Sequence, residues 1–91
     1  MSEHIGEFVY AVAGRDKDKY FIAVSGEDEY LFICDGKSRK VGNPKKKKLK
    51  HLSFTGVCDE FITSKLDTVG KLTNKEVRYA LSNFLRENTN V

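Results

Sequence analysis

Residues 43–52 read NPKKKKLKHL, four consecutive lysines behind the chain's single proline, then an apolar residue, another lysine, a histidine and a leucine. Ammonium groups on flexible stems can reach a polyanion while remaining hydrated, and their attraction for successive phosphates is salt-sensitive and independent of base sequence. Pro44 fixes its own φ and biases Asn43 toward extended backbone, so Lys45, Lys46, Lys47 and Lys48 are expected to project along an extended strip. At roughly 3.3 Å per residue that strip spans about 13 Å, enough for two or three phosphates. Lys50 and His51 prolong it, and Leu49 and Leu52 tie it to apolar anchors. Arg15 and Lys17 upstream, with Lys37, Arg39 and Lys40, extend the candidate surface if folding gathers their loops at one end. Arginine adds bidentate contacts and stacking on bases.

Such a run is also compatible with a solvated face or a nuclear-localisation signal. The distribution of charge argues for more. The net charge is +3, yet Lys37 to His51 hold eight of the sixteen Lys and Arg and no Asp or Glu. The remainder carries eight basic residues against thirteen acidic ones, a net −5. A mildly acidic domain with one intensely basic segment points to an anionic partner more directly than an overall basic balance does.

Other chemistries have little to stand on. The sequence holds no Gly-rich phosphate loop and no GxSxG, and no histidine has a nucleophile and an orienting carboxylate nearby, so no enzyme is expected. Asp16, Asp18, Glu27, Asp28 and Glu29 read as solvated loop carboxylates. His4, Cys34, His51 and Cys58 have spacings that match no metal framework, so neither a metal nor a cofactor is expected. Two widely separated cysteines suit a cytoplasmic protein, and no apolar stretch approaches a membrane span. Tyr10, Tyr20, Phe21, Tyr30, Phe32 and Phe54 invite a base-stacking platform, but alternation in short strands reads first as core.

The elements that would position these cations are short. FVYAVA (Phe8 to Ala13), YFIAVS (Tyr20 to Ser25) and EYLFIC (Glu29 to Cys34) have the β-branched and aromatic composition of buried strands. The brief connections GRDKDK and GED favour antiparallel neighbours. Asp35-Gly36 predicts a two-residue hairpin, followed by a short strand over Arg39 to Val41 that ends at Gly42-Asn43-Pro44. Leu52 to Phe54 supplies a fifth strand. Five short strands in some fifty residues predict a small, strongly curved sheet or barrel. Asp59 to Asp67 predicts a helical turn. Thr73-Asn74-Lys75-Glu76 is a capping box, with Val77, Leu81, Phe84 and Leu85 following at helical spacing.

The segments AGRDKDKYFIAV, ICDGKSRK and PKKKKLKHL, in this order and spacing, closely resemble the bacterial KOW-domain RNA-binding proteins. That family is similar in turn to KOW-type large-subunit ribosomal proteins of archaea and eukaryotes. The resemblance covers about residues 5–54, with weaker agreement in LTNKEVRYAL (Leu72 to Leu81). It implies a mainly β fold, an SH3-like barrel over residues 1–54; the capping box and the spacing behind it add a helical C-terminal extension over residues 55–91, expected to pack on that barrel. It also implies RNA binding, to ribosomal RNA or the large ribosomal subunit in particular; a monomer with no small-molecule substrate and no membrane partner is expected. Asp18 stands where the family usually carries glycine. Aspartate tolerates positive φ at modest cost, but its charge weakens that loop as a phosphate contact. Proteins with KOW domains also contact other proteins, which makes a protein-interaction module of the transcription or translation machinery the alternative, with Tyr79 on its binding face.

Overall fold

The structure is a computed structural model that describes residues 4–88. Residues 1–3 and 89–91, at the outer ends of the two expected domains, lie outside the described residues. The architecture is mixed α/β. Five antiparallel strands, β1 (Glu7–Ala11), β2 (Tyr20–Glu27), β3 (Tyr30–Cys34), β4 (Lys45–Lys48) and β5 (Leu52–Cys58), form one sheet in the order β4-β3-β2-β1-β5. Two helices follow, α1 (Glu60–Thr68) and α2 (Asn74–Asn88). A single 3-10 turn, Leu49–His51, links β4 on one edge of the sheet to β5 on the other.

The first three strands fall where their composition puts them, because both faces of the sheet are buried. Phe8 opposes Ile22, and Ile22 opposes Cys34, so these three share one face. On it they pack with Ile62 of α1 and with Val77, Ala80, Leu81 and Phe84 of α2. The alternate residues Val9, Ala11, Phe21, Ala23, Leu31 and Ile33 join Leu52 in a second core on the other face. Double burial explains the near-continuous apolar runs. Register shifts between Glu7 and Val9 and between Ala23 and Ser25 bend the sheet.

Two expectations fail in the same place. No strand forms over Arg39–Val41, and Asp35-Gly36 is not a two-residue hairpin. The Asp35 side chain captures its own loop: Oδ1 accepts from the backbone N–H groups of Lys37 (2.9 Å) and Arg39 (2.9 Å), and Oδ2 accepts from the Ser38 hydroxyl (3.2 Å). These bonds compete with a ladder, so the chain stays irregular to Pro44. The fourth strand is instead the lysine run itself, with Lys45 opposite Ile33, Lys46 opposite Phe32, Lys47 opposite Leu31 and Lys48 opposite Tyr30. Lysine is a poor strand former in isolation, but it is well suited to an edge, where its charge blocks pairing with another chain.

The helices carry more of the chain than expected. Asp59 caps α1, its Oδ1 accepting from the Ile62 N–H at 3.0 Å, and the expected turn becomes a nine-residue helix. The capping box of α2 forms as read. The Glu76 N–H donates to the Thr73 hydroxyl at 3.1 Å, and the Thr73 N–H donates to Glu76 Oε1 at 2.8 Å. Lys65 of α1 donates to the other oxygen of Glu76, which ties the two helices together. Together these bonds hold the Glu76 carboxyl below the usual carboxylate range.

Candidate nucleic-acid interface

The loop between β1 and β2 turns back on itself. The Asp18 N–H donates to the Ala11 carbonyl at 2.8 Å, and Asp18 adopts a φ of 72°, the left-handed region that glycine favours. Asp18 Oδ1 accepts from the Tyr10 hydroxyl at 2.9 Å, which raises the tyrosine's pKa. Arg15 and Lys17 are exposed on this loop, as is Lys19.

Asp16, in contrast, is buried, and the solvated reading of it is overturned. Its two oxygens accept from Arg39 Nε at 3.2 Å and Arg39 Nη2 at 2.9 Å, joining the first loop to the β3–β4 loop. Burial pushes the Asp16 carboxyl up, but the Arg39 hydrogen bonds and charge, with Lys47 and Lys19, outweigh it and hold the pKa below 3.8. The same pair raises the Arg39 pKa.

The lysine strand does not present four equivalent charges. Strand geometry sends alternate side chains to opposite faces. Lys45 and Lys47 share the face of Ile33 and Leu31, while Lys46 and Lys48 share that of Phe32 and Tyr30. Lys47 is only 6% exposed, and its Nζ crowds Gly14 so closely that a Cβ there would sit 2.7 Å away. Gly14 also has a φ of 85°, so its backbone conformation reserves the position for glycine. Lys46 lies over the Tyr30 ring, 4.5 Å from its centroid, and 3.9 Å from Glu27. Lys45 and Lys48 are exposed.

Lys37 and Lys40 are exposed on the β3–β4 loop, where Lys40 Nζ donates to the Lys37 carbonyl at 3.0 Å. Lys50 is exposed and His51 half-buried on the 3-10 turn. The His51 carbonyl accepts from the Val12 N–H at 2.9 Å, which returns this segment to the first loop. One end of the sheet thus gathers Arg15, Lys17, Lys37, Arg39, Lys40, Lys45, Lys47 and His51. Lys46 and Lys48 sit toward the acidic β2–β3 turn, where the Leu49 N–H also donates to the Glu29 carbonyl at 2.8 Å.

Sequence reading missed three residues at this end. Lys19 was legible from composition beside Lys17. Asp16 gave no signal, because its role needs a partner 23 residues away. Arg78 gave none either: it reaches the Gly36 carbonyl at 2.8 Å only once α2 has docked. Gly36, with a φ of 78°, lets α2 come so near that a Cβ would lie 2.5 Å from the Asn74 carbonyl oxygen.

The aromatic residues serve packing first. Phe8 stacks on Phe84 at 4.3 Å, and Tyr20 meets Phe84 edge-on at 5.4 Å and Tyr10 at 4.8 Å. Cys34 is buried and Cys58 exposed, both as free thiols. Burial, aided by Asp35, pushes the Cys34 thiol up to about 12. Among the described residues, no group of three or more His, Cys, Asp or Glu could hold a metal ion. No helix among them is long and apolar enough to cross a membrane. No protein-family model matches the chain, and no curated protein does.

Proposed function

We propose that the chain is a non-catalytic RNA-binding module of the KOW type, a cytoplasmic monomer that docks on ribosomal RNA of the large subunit. The observation that carries this reading is the Asp16–Arg39 latch with Lys47 beside it, which draws two cation-bearing loops and the lysine strand to one end of the sheet. Lysines there meet phosphates, and the exposed Arg15 adds a planar donor for a base or backbone. Specificity would come mainly from RNA shape.

Two features support the fold-level part of the proposal. The path from Lys48 to Leu52 covers at most about 13 Å when extended. A flat five-stranded sheet holds its edge strands about 19 Å apart. That mismatch supports a sheet rolled into an SH3-like barrel. The left-handed conformation of Asp18, where KOW proteins usually have glycine, supports the resemblance itself.

Salt dependence tests the function. About five phosphate contacts on single-stranded ribosomal RNA give a log–log slope near −3.5, at roughly −0.7 per contact. Replacing Lys45, Lys46 and Lys48 by alanine, with Lys47 spared for its packing, is expected to flatten the slope by at least about 0.7, the share of Lys45, with a smaller share from Lys46 beside Glu27. An unchanged slope would move the interface elsewhere. A second reading, a protein-interaction module, is favoured by Phe61 and Tyr79, 58% and 71% exposed beside a groove between α1 and α2. Under it, binding resists salt and is lost in Tyr79→Ala.

A further inference from the structure

A cleft of about 750 Å³ opens where the cationic loops meet α2. Tyr20, Leu81 and Leu85 give it apolar walls, and Lys19, Lys37 and Arg78 line it with positive charge. Two carboxylates, Asp18 and Asp35, also border it and keep their charge, so the lining sets three cations against two anions, but the oxygens that hydrogen-bond are turned to partners within the protein. Asp35 uses both oxygens on its own loop, and Asp18 accepts from Tyr10. The Lys19 and Lys37 ammonium groups make no hydrogen bond or ion pair among the described residues. Arg78 is held at the rim by the Gly36 carbonyl.

An aromatic and aliphatic wall beside ammonium groups that make no direct hydrogen bond or ion pair suits one nucleotide, with the base on the wall and the phosphate on the lysines. A base inside a duplex is stacked and paired, so only an unpaired nucleotide can enter such a cleft. We infer that the cleft receives a splayed nucleotide of single-stranded RNA next to the phosphate-binding end, so that the protein distinguishes unpaired RNA from helical RNA. This inference rests on the proposed RNA-binding reading.

Ser82 lines the cleft from the exposed side of α2, outside both cores, so a large side chain there fills the space without disturbing the fold. Fluorescence anisotropy with a labelled oligouridine of roughly ten nucleotides and a blunt RNA duplex of equal length compares the native chain with Ser82→Trp and Ser82→Ala. The expected result is a loss of about tenfold or more in single-strand affinity for Ser82→Trp. Duplex binding should stay within about twofold, and Ser82→Ala should behave as the native chain. Equal weakening of both RNAs, or no weakening of either, overturns the cleft and leaves the RNA-binding reading standing. A native chain that binds neither RNA sinks both. Photocrosslinking from a 4-thiouridine strand supplies an independent readout. Adducts on α2 around Ser82 support the cleft, and adducts confined to the loops and the lysine strand overturn it.

Discussion

Asp16 is the residue on which the candidate surface turns. A carboxylate 3% exposed is tolerated because a guanidinium grips both its oxygens and Lys47 and Lys19 add positive charge. Removing that charge leaves Arg39 without its ion-pair partner and takes a nearby negative charge from the buried Lys47, so Asp16→Asn is expected to cost about 1–3 kcal/mol in urea unfolding near neutral pH. Its pH dependence has a defined sign. The folded pKa lies below the ordinary 3.8, so the stabilisation is complete above that value and fades as pH falls through the folded one. The native chain should therefore lose stability below about pH 4 more steeply than Asp16→Asn does. Parallel acid limbs for the two proteins would refute the latch. Asp18 carries a different lesson: its left-handed backbone was anticipated from a glycine-like loop position, whereas its hydrogen bond to Tyr10 was not.

At the scale of elements, α2 owes its start to local chemistry and its place to packing. The Thr73 hydroxyl and the Glu76 carboxylate satisfy one another's backbone N–H groups, and Glu76 also holds Lys65 of α1. Thr73→Ala is expected to destabilise the chain by about 1 kcal/mol, measured as a shift in thermal midpoint. No shift would mean that packing alone holds the first turn. Strand β4 shows the reverse balance. Four lysines have weak strand propensity, but β3 offers them an open ladder and gives Lys46 the Tyr30 ring to lie on. The residues after Asp35 were expected to pair there, and their own side-chain hydrogen bonds keep them from it.

For the molecule as a whole, the consequence is an uneven field. Cations crowd the end where the β1–β2 and β3–β4 loops meet, while Glu27, Asp28 and Glu29 occupy the β2–β3 turn. Lys46 sits within reach of Glu27, so an RNA phosphate must compete for it, whereas Lys45 has no ion pair among the described residues. Lys45→Ala is therefore expected to reduce the salt slope by about 0.7 and Lys46→Ala by less, in titrations of the same single-stranded RNA. Equal reductions would mean that the acidic turn exerts no influence on the bound state.

The sequence alone determined the features that depend on near neighbours: three apolar strands, a capping box, a loop residue able to take positive φ, and a concentration of positive charge in one stretch. Each is set by chain neighbours within a few positions. The tertiary structure decided which of those cations point outward together. Strand alternation turned Lys47 inward while its neighbours stayed exposed, Asp16 bound an arginine from another loop, and docking of α2 brought Arg78 to Gly36. Those outcomes hinge on contacts between distant segments, whose energy arises only after the chain has closed on itself and excluded water from between them.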